Sequence, residues 1–338
     1  MRKIQTSRKL RALFSAAAAL ISLTAALPAQ TPASPAAPKP PAPKMNSYDS
    51  PRDIVYPDKL APTDTRLNFY FGDWRDSLPR TLFGTLVVRD ILTPGDNLTP
   101  PTPGAVLEQA KYLSYATLGA GERTLPTTLK GEQLFLYVEQ GEAEVSGGGK
   151  SAPLHKGSAL LVPEGLEFTL RNTGSGALNA YLIGDPTFPG FKPLDHFAVM
   201  QESPRKPSNT PSGIPFVSDG AQGHWAHITH GFFNRRGNSN LGLASVGSII
   251  TVEIQPMTIG EPHPHLPGKE EVWCQIEGNS VAFVGPQLRM QHPGQAYILR
   301  PDGLTTHSNL NVNEPGTEPV KFLWFSTNTG LSDAPAKK

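Results

Sequence analysis

Apolar residues in this chain come in short runs rich in Val, Ile, Leu, Thr, Phe and Tyr. Residues 66–71, 81–92, 111–118, 133–139, 160–162, 241–254, 281–285, 296–299 and 320–325 are the clearest. Gly, Pro, Asn and Asp separate them. Runs of this length bounded by turn residues predict strands. The 35 prolines and 32 glycines fit many short strands joined by turns better than long helices. The predicted class is all-β, and 338 residues allow two domains with real cores.

The ends of the chain read differently. Arg2, Lys3, Arg8, Lys9 and Arg11 precede an apolar stretch at 13–27, and small residues follow up to Ala29 and Gln30. The apolar stretch is short for a membrane span, so 1–30 is expected to be a signal peptide. Residues 31–65 form a Pro/Ala-rich linker and extension. The expected layout continues with a first barrel at 66–185, a connector at 186–213 and a second barrel at 214–330. A periplasmic or secreted location follows, with no stable membrane anchor after cleavage. Removing the seven Lys/Arg of residues 1–44, which hold no Asp or Glu, leaves 23 basic against 29 acidic residues, a formal charge of −6. That balance and the lack of a basic stripe argue against nucleic acid as a partner. The single cysteine, Cys274, rules out a disulfide within one chain and is expected to pack rather than react.

The chemistry concentrates in 260–311. His263 and His265 stand two apart in an extended segment, so they point the same way. Pro267-Gly268 signals a turn that brings Glu271 to face them, and His307 follows a Pro301-x-Gly303 turn. Three imidazoles and one carboxylate suit a single divalent first-row metal: Mn, Fe, Co, Ni, Cu or Zn. Trp273 and Gln275 are in phase with Glu271 and are expected to line a substrate pocket, as is Tyr297. Arg300 is expected to pair with a substrate carboxylate and Glu270 to act as a general acid or base near the mouth. His224, His227 and His230, three apart, would not converge in a strand and are not expected to hold a second metal.

These two stretches resemble the paired motifs of the cupin superfamily. His263-x-His265, Glu271 and Gly278 match the first; Gly294, Pro301-x-Gly303, His307 and Asn311 match the second. Five residues separate His265 from Glu271, one more than the family's upper value, which leaves Glu270 as a rival ligand. The six-residue spacing to Gly278 favours Glu271. The resemblance implies jelly-roll barrels. It extends to 107–183, where Gly131, Gly141, Gly157 and Gly165 keep the frame. Counting back from Gly141 puts the histidine positions at Pro126 and Thr128, the carboxylate at Leu134 and the last histidine at Phe168, with Asn172 retained. The first barrel is therefore expected to be a metal-free scaffold. The resemblance implies a metal-dependent enzyme on a small organic molecule, with dioxygenase-like or related oxidoreductase or isomerase chemistry. A non-catalytic metal-containing binding protein for a sugar or an acid is the alternative. Either could be a monomer or a homodimer.

Overall fold

The computed structural model describes residues 65–202, 227–234, 242–260, 262–265, 269–317 and 319–328. The expected leader, the linker up to 64, His224 and the tail from 329 lie outside them. Among the described residues there is no α-helix, only two 3-10 segments, Thr65–Tyr70 and Trp74–Asp76, and 23 strands numbered here in chain order.

The N-terminal barrel has two sheets. The larger runs, in spatial order, β13 (Ala198–Gln201), β10 (Ser158–Val162), β7 (Glu132–Gln140), β12 (Leu178–Pro186), β5 (Tyr112–Leu118), β3 (Leu86–Pro94) and β2 (Arg80–Leu82), with β4 (Ala105–Leu107) parallel beside β3. The smaller runs β6 (Thr127–Thr128), β11 (Glu167–Asn172), β8 (Glu142–Gly147) and β9 (Lys150–His155). The C-terminal barrel repeats the plan. Its larger sheet is β1 (Phe71–Asp73), β21 (Gln295–Ile298), β18 (Lys269–Glu277), β23 (Val320–Asn328), β15 (Val246–Ile254) and β14 (His227–Asn234). Its smaller sheet is β16 (Thr258–Ile259), β22 (Thr306–Asn311), β19 (Ser280–Val284) and β20 (Gln287–Gln291), with β17 (His263–Pro264) also paired to β22.

The large sheets are buried on both faces, and the period of two decides what lies on each. In β7, Leu134, Leu136 and Val138 fill the N-terminal barrel, while Phe135 and Tyr137 face its neighbour. Leu160 and Leu161 of β10, and Leu182 and Ile183 of β12, divide the same way. Phe135 and Tyr137 meet Phe232 of β14 at 6.3 and 5.8 Å between ring centroids. Each such buried side chain contributes roughly 1.5–3 kcal/mol. One apolar cluster runs through this contact into the C-terminal barrel, while the N-terminal barrel keeps an interior of its own. Cys274 lies in that cluster, fully buried, with its thiol pushed well up by burial.

One strand crosses between the barrels: β1 precedes the N-terminal barrel but pairs with β21 of the C-terminal one. β13 lies in the stretch expected to be a connector, and it extends the N-terminal barrel's sheet at β10. Two buried carboxylates fasten the barrels to each other. Glu270 accepts the backbone N–H groups of Glu108, Gln109 and Ala110 at 2.7–3.1 Å. Asp185 accepts those of Ala244, Ser245 and Val246 at 2.7–2.8 Å. Three otherwise orphaned donors are satisfied at each end, which is how a buried charge is tolerated.

Candidate metal centre

Four elements bring the site together. β17 lies opposite β22, with His263 directly across from His307. The backbone N–H of Gly303 donates to the carbonyl of His265 at 2.8 Å and ties the second turn to the first. Gly303 has φ +75°, which a Pro-x-Gly turn needs and a side chain would strain. Asp302 caps that turn by accepting from the N–H groups of Leu304 and Thr305. Asn311 donates to the carbonyl of Ile254 at 2.9 Å and fixes the far end of β22.

One ligand atom from each of His263, His265, Glu271 and His307 can be chosen so that all four lie within 4.8 Å of one another. The imidazole centroids are 4.8–5.2 Å apart. Bonds of about 2.1 Å place ligand atoms roughly 3–4 Å apart, so the cluster is already near the size of a coordination shell. His265 Nε2 and His307 Nε2 approach Glu271 Oε1 to 3.1 and 3.5 Å. Both nitrogens are buried, and neither makes a well-directed hydrogen bond. A buried polar atom left so costs about 1–3 kcal/mol, and a cation between them would remove that cost.

The electrostatics suit the same occupant. Burial opposes ionisation of Glu271, but His265, Lys269 and His307 outweigh it and hold the carboxyl well below its ordinary range. Burial drives the His307 imidazole well below its own, against the pull of Glu271. An ionised carboxylate and a neutral imidazole are the forms that bind metal. Supporting contacts orient them. Trp273 Nε1–H donates to Glu271 Oε1 at 3.0 Å. Tyr297 Oη lies 2.9 Å from His307 Nδ1 and accepts from Asn309 Nδ2 at 3.0 Å. Such outer contacts set the ring and tautomer of a ligating histidine.

The expected residues divide clearly. His263, His265, Glu271 and His307 converge. Glu271, not Glu270, is the carboxylate that faces the imidazoles. Glu270 is one step out of phase on β18, buried against 108–110, and its oxygens are occupied there. This position does not suit the acid/base role expected at the mouth. Gln275 is also displaced from its expected role. Its amide donates to the carbonyls of Glu277 and Gly278 and accepts from Ser280 Oγ, so it holds a turn rather than a ligand. Trp273 and Tyr297 are in the site but act on the ligands, and both are buried. Arg300, one-third exposed, stands 3.5 Å from Asp302. His227 and His230 belong to β14.

Sequence reasoning missed Lys269. Its Nζ is 2.8 Å from Glu271 Oε2, and its side chain is 34% exposed. It is two residues before Glu271, in the phase already used for Trp273. Asn309, in phase with His307, was missed for the same reason.

In the N-terminal barrel, sheet register gives the counterparts. Thr127 faces Phe168 as His263 faces His307. The histidine positions are therefore Thr127 and Leu129, one residue beyond those counted from Gly141. Leu129, Leu134 and Phe168 are buried in an apolar interior that has no place for a metal.

Comparison with known proteins agrees with this geometry. Residues 114–184 match the family described as cupin domain. A search of curated proteins found no match. Solved structures share the fold at low identity. A putative glyoxylate-induced protein from Pseudomonas aeruginosa aligns with TM-score 0.54 and 15% identity over 77% of this chain and 86% of its own. The pirin YhhW of Escherichia coli, solved with nickel(II), gives 0.53 and 11% over 77% and 99%. The Lactobacillus farciminis oxalate decarboxylase formate complex gives 0.51 and 14% over 77% and 86%. The chain has the fold of a bicupin, two jelly-roll barrels in tandem, with the His/Glu ligand set of the motif complete only in the C-terminal one.

Proposed function

We propose that the protein is an exported metalloenzyme. Its C-terminal barrel holds one divalent transition metal through His263, His265, Glu271 and His307 and acts on a small organic anion. The observation that carries this reading is the quartet, three of whose members are buried, with two imidazole nitrogens that make no well-directed hydrogen bond. When bound, the metal supplies Lewis acidity at an oxygen of the substrate. The chain's own residues do the rest. A single carboxylate leaves a divalent ion with net positive charge, and the Lys269 ammonium beside it adds more. A carboxylate, enolate or phenolate fits that field better than a neutral ligand. Trp273 closes one wall of the site and orients Glu271; Tyr297 orients His307. The likeness to an oxalate decarboxylase and to a nickel-containing pirin supports metal-dependent chemistry. Within it, dioxygenase-like, related oxidoreductase and isomerase reactions fit the open site. Export rests on the leader-like residues 1–30.

One observation favours the second reading, a metal-organised binding protein without turnover. Glu270 is committed to the other barrel and Tyr297 to His307 and Asn309, which leaves Lys269 as the described proton-transferring group beside the cluster with exposure to solvent. The test starts with the metal content of the mature protein, purified without chelator. About one ion per chain is expected, with the ion lost in His263→Ala and in Glu271→Ala. Oxalate or a catechol added to loaded protein should perturb the metal's absorption or paramagnetic signal. Lys269→Met should weaken that response about tenfold, the order of one charge-assisted hydrogen bond, while the metal stays. Anion binding with no product, across phenolic and dicarbonyl panels, selects the binding protein. A folded chain that cannot be loaded with metal sinks both readings.

A further inference from the structure

His307 ends a line of buried polar side chains. Asn309 Nδ2–H donates to Tyr297 Oη at 3.0 Å, and Tyr297 Oη lies 2.9 Å from His307 Nδ1. Each of these residues is at most 2% exposed. Asn309 Oδ1 is buried as well and has no partner. The fold does not require such a line. Gly157 matches Gly294 and Asn172 matches Asn311, so in the N-terminal barrel Leu160 stands where Tyr297 does and Leu170 where Asn309 does. Both leucines belong to that barrel's apolar interior. The tyrosine and the asparagine accompany the ligand set.

The direction of the hydrogen bonds along this line is fixed by a count of hydrogens. A phenol has one to give. Asn309 already donates to Tyr297 Oη, so the phenol hydrogen goes to His307 Nδ1. The neutral imidazole then carries its own hydrogen on Nε2, the nitrogen that lies 3.5 Å from Glu271 Oε1. This direction does not suit a ligand. A metal at Nε2 needs the lone pair there, so the ring hydrogen has to sit on Nδ1 and point at Tyr297. The phenol must then give its hydrogen elsewhere, and the acceptor beside it is the unpartnered Asn309 Oδ1.

We infer that Asn309 is a positioning residue that acts on His307 through Tyr297: its amide turns over when metal is taken up, and the whole line reverses. The reversed line runs from His307 Nδ1–H to Tyr297 Oη, and from Tyr297 Oη–H to Asn309 Oδ1. No net proton is gained or lost along it; the ring hydrogen passes from Nε2 to Nδ1, and each bond is remade with donor and acceptor exchanged. An amide serves both directions because it carries a donor and an acceptor on one rotatable group. One of the two is left over either way, Oδ1 before and Nδ2 after, so the amide favours neither strongly and the metal decides. This rests on the reading of His307 as a metal ligand.

NMR of the mature chain with isotope-labelled histidine tests it, first with chelator and then with zinc alone. Two-bond proton–nitrogen correlations show which ring nitrogen carries hydrogen, and His307→Phe assigns the signal. The expected result is Nε2–H in chelated protein and Nδ1–H with zinc. Asn309→Leu should weaken zinc about tenfold in chelator competition, the order of one buried hydrogen bond left unmade. In a Tyr297→Phe background the same change should weaken zinc by no more than about twofold, since Asn309 then has nothing to act through. Equal losses in both backgrounds would make Asn309 a packing residue and overturn the inference. Nδ1–H already present in chelated protein overturns it too, and leaves the metal reading standing. A folded chain that takes up no zinc removes both. Should Asn309→Leu fail to fold, the wild-type spectra decide alone.

Discussion

The two barrels have the same frame and opposite interiors. Gly141 and Gly278 both sit at positive φ, as do Gly157 and Gly294, and Gly165 and Gly303. Asn172 and Asn311 both donate their side-chain amide to the carbonyl of a neighbouring strand. These residues shape turns and tie strands, and both barrels need them. The positions that face inward near the barrel end are under no such demand. In one barrel they are Thr127, Leu129, Leu134 and Phe168; in the other, His263, His265, Glu271 and His307. The N-terminal barrel uses them for stability, and the C-terminal barrel gives up apolar burial there for a set of ligands. The frame glycines and asparagines therefore report the fold, and only the four interior positions report chemistry.

The sharpest way to break that comparison is to truncate the same position in each barrel. Phe168→Ala should cost about 3–5 kcal/mol, the usual loss for emptying a buried aromatic site, and leave metal binding intact in whatever remains folded. His307→Ala should abolish metal binding and cost the metal-free protein much less, because its imidazole leaves a partner-free nitrogen buried in the native state. Denaturant melts and metal analysis of the two variants decide this. Equal losses of stability would mean that His307 is also part of the scaffold.

The next largest effect concerns what the barrels share. Glu270→Gln and Asp185→Asn each replace one acceptor oxygen with a donor facing backbone N–H groups. Each should destabilise by about 2–4 kcal/mol, from one or two donors left buried without an acceptor. Losses of similar size would establish that the two carboxylate contacts between the barrels contribute equally. If one variant is silent in a urea melt, only the other carboxylate fastens the barrels. Unchanged metal content in Glu270→Gln would separate that residue from its neighbour Glu271.

Much of this was legible in the sequence because it is local. Strand alternation, the Pro-x-Gly turn and the His-x-His pair all act over a few residues, so the ligand set and the apolar filling of the first barrel could be read directly. What could not be read depends on distant parts. Glu270 looks like a site residue until the N–H groups 160 residues earlier are seen to surround it. β1 joins a sheet to which its sequence neighbours do not belong, and no local pattern says so. The one-residue error at Pro126 and Thr128 has a similar origin. Counting assumes equal loops, whereas four residues separate Leu129 from Leu134 and five separate His265 from Glu271. Lys269 was legible and overlooked, since the period of two that selected Trp273 selects it too.

The smallest expected difference is in pH dependence, and it separates the metal-site groups from the carboxylates that join the barrels. Folded His307 is held well below the ordinary imidazole value by burial. It stays neutral where the unfolded chain's imidazole has taken a proton. Its share of stability is whole above about pH 6.5 and declines below it. Glu271, held well below the carboxylate range, adds a loss of the same sign once pH falls below about 4.5 and the unfolded carboxyl protonates. Asp185 runs the other way. Burial raises its carboxyl despite the N–H groups around it, so the folded state takes a proton first, and stability falls as pH rises from about 3.8 through its folded value. Acidifying from pH 7.5 to 5.5 therefore engages the loss at His307, while Glu270, which burial raises to about 7, takes up a proton in the folded state over the same interval and opposes it, as Asp185 does. Chelated Glu270→Gln protein, freed of that opposing group, should lose a few degrees of Tm over the interval. Adding His307→Phe, which installs the residue of the N-terminal barrel, should flatten the response. A Tm of Glu270→Gln that does not change over the interval would mean that His307 accepts a proton in the folded barrel as readily as in the unfolded chain, and the neutral, metal-ready imidazole would have to be given up.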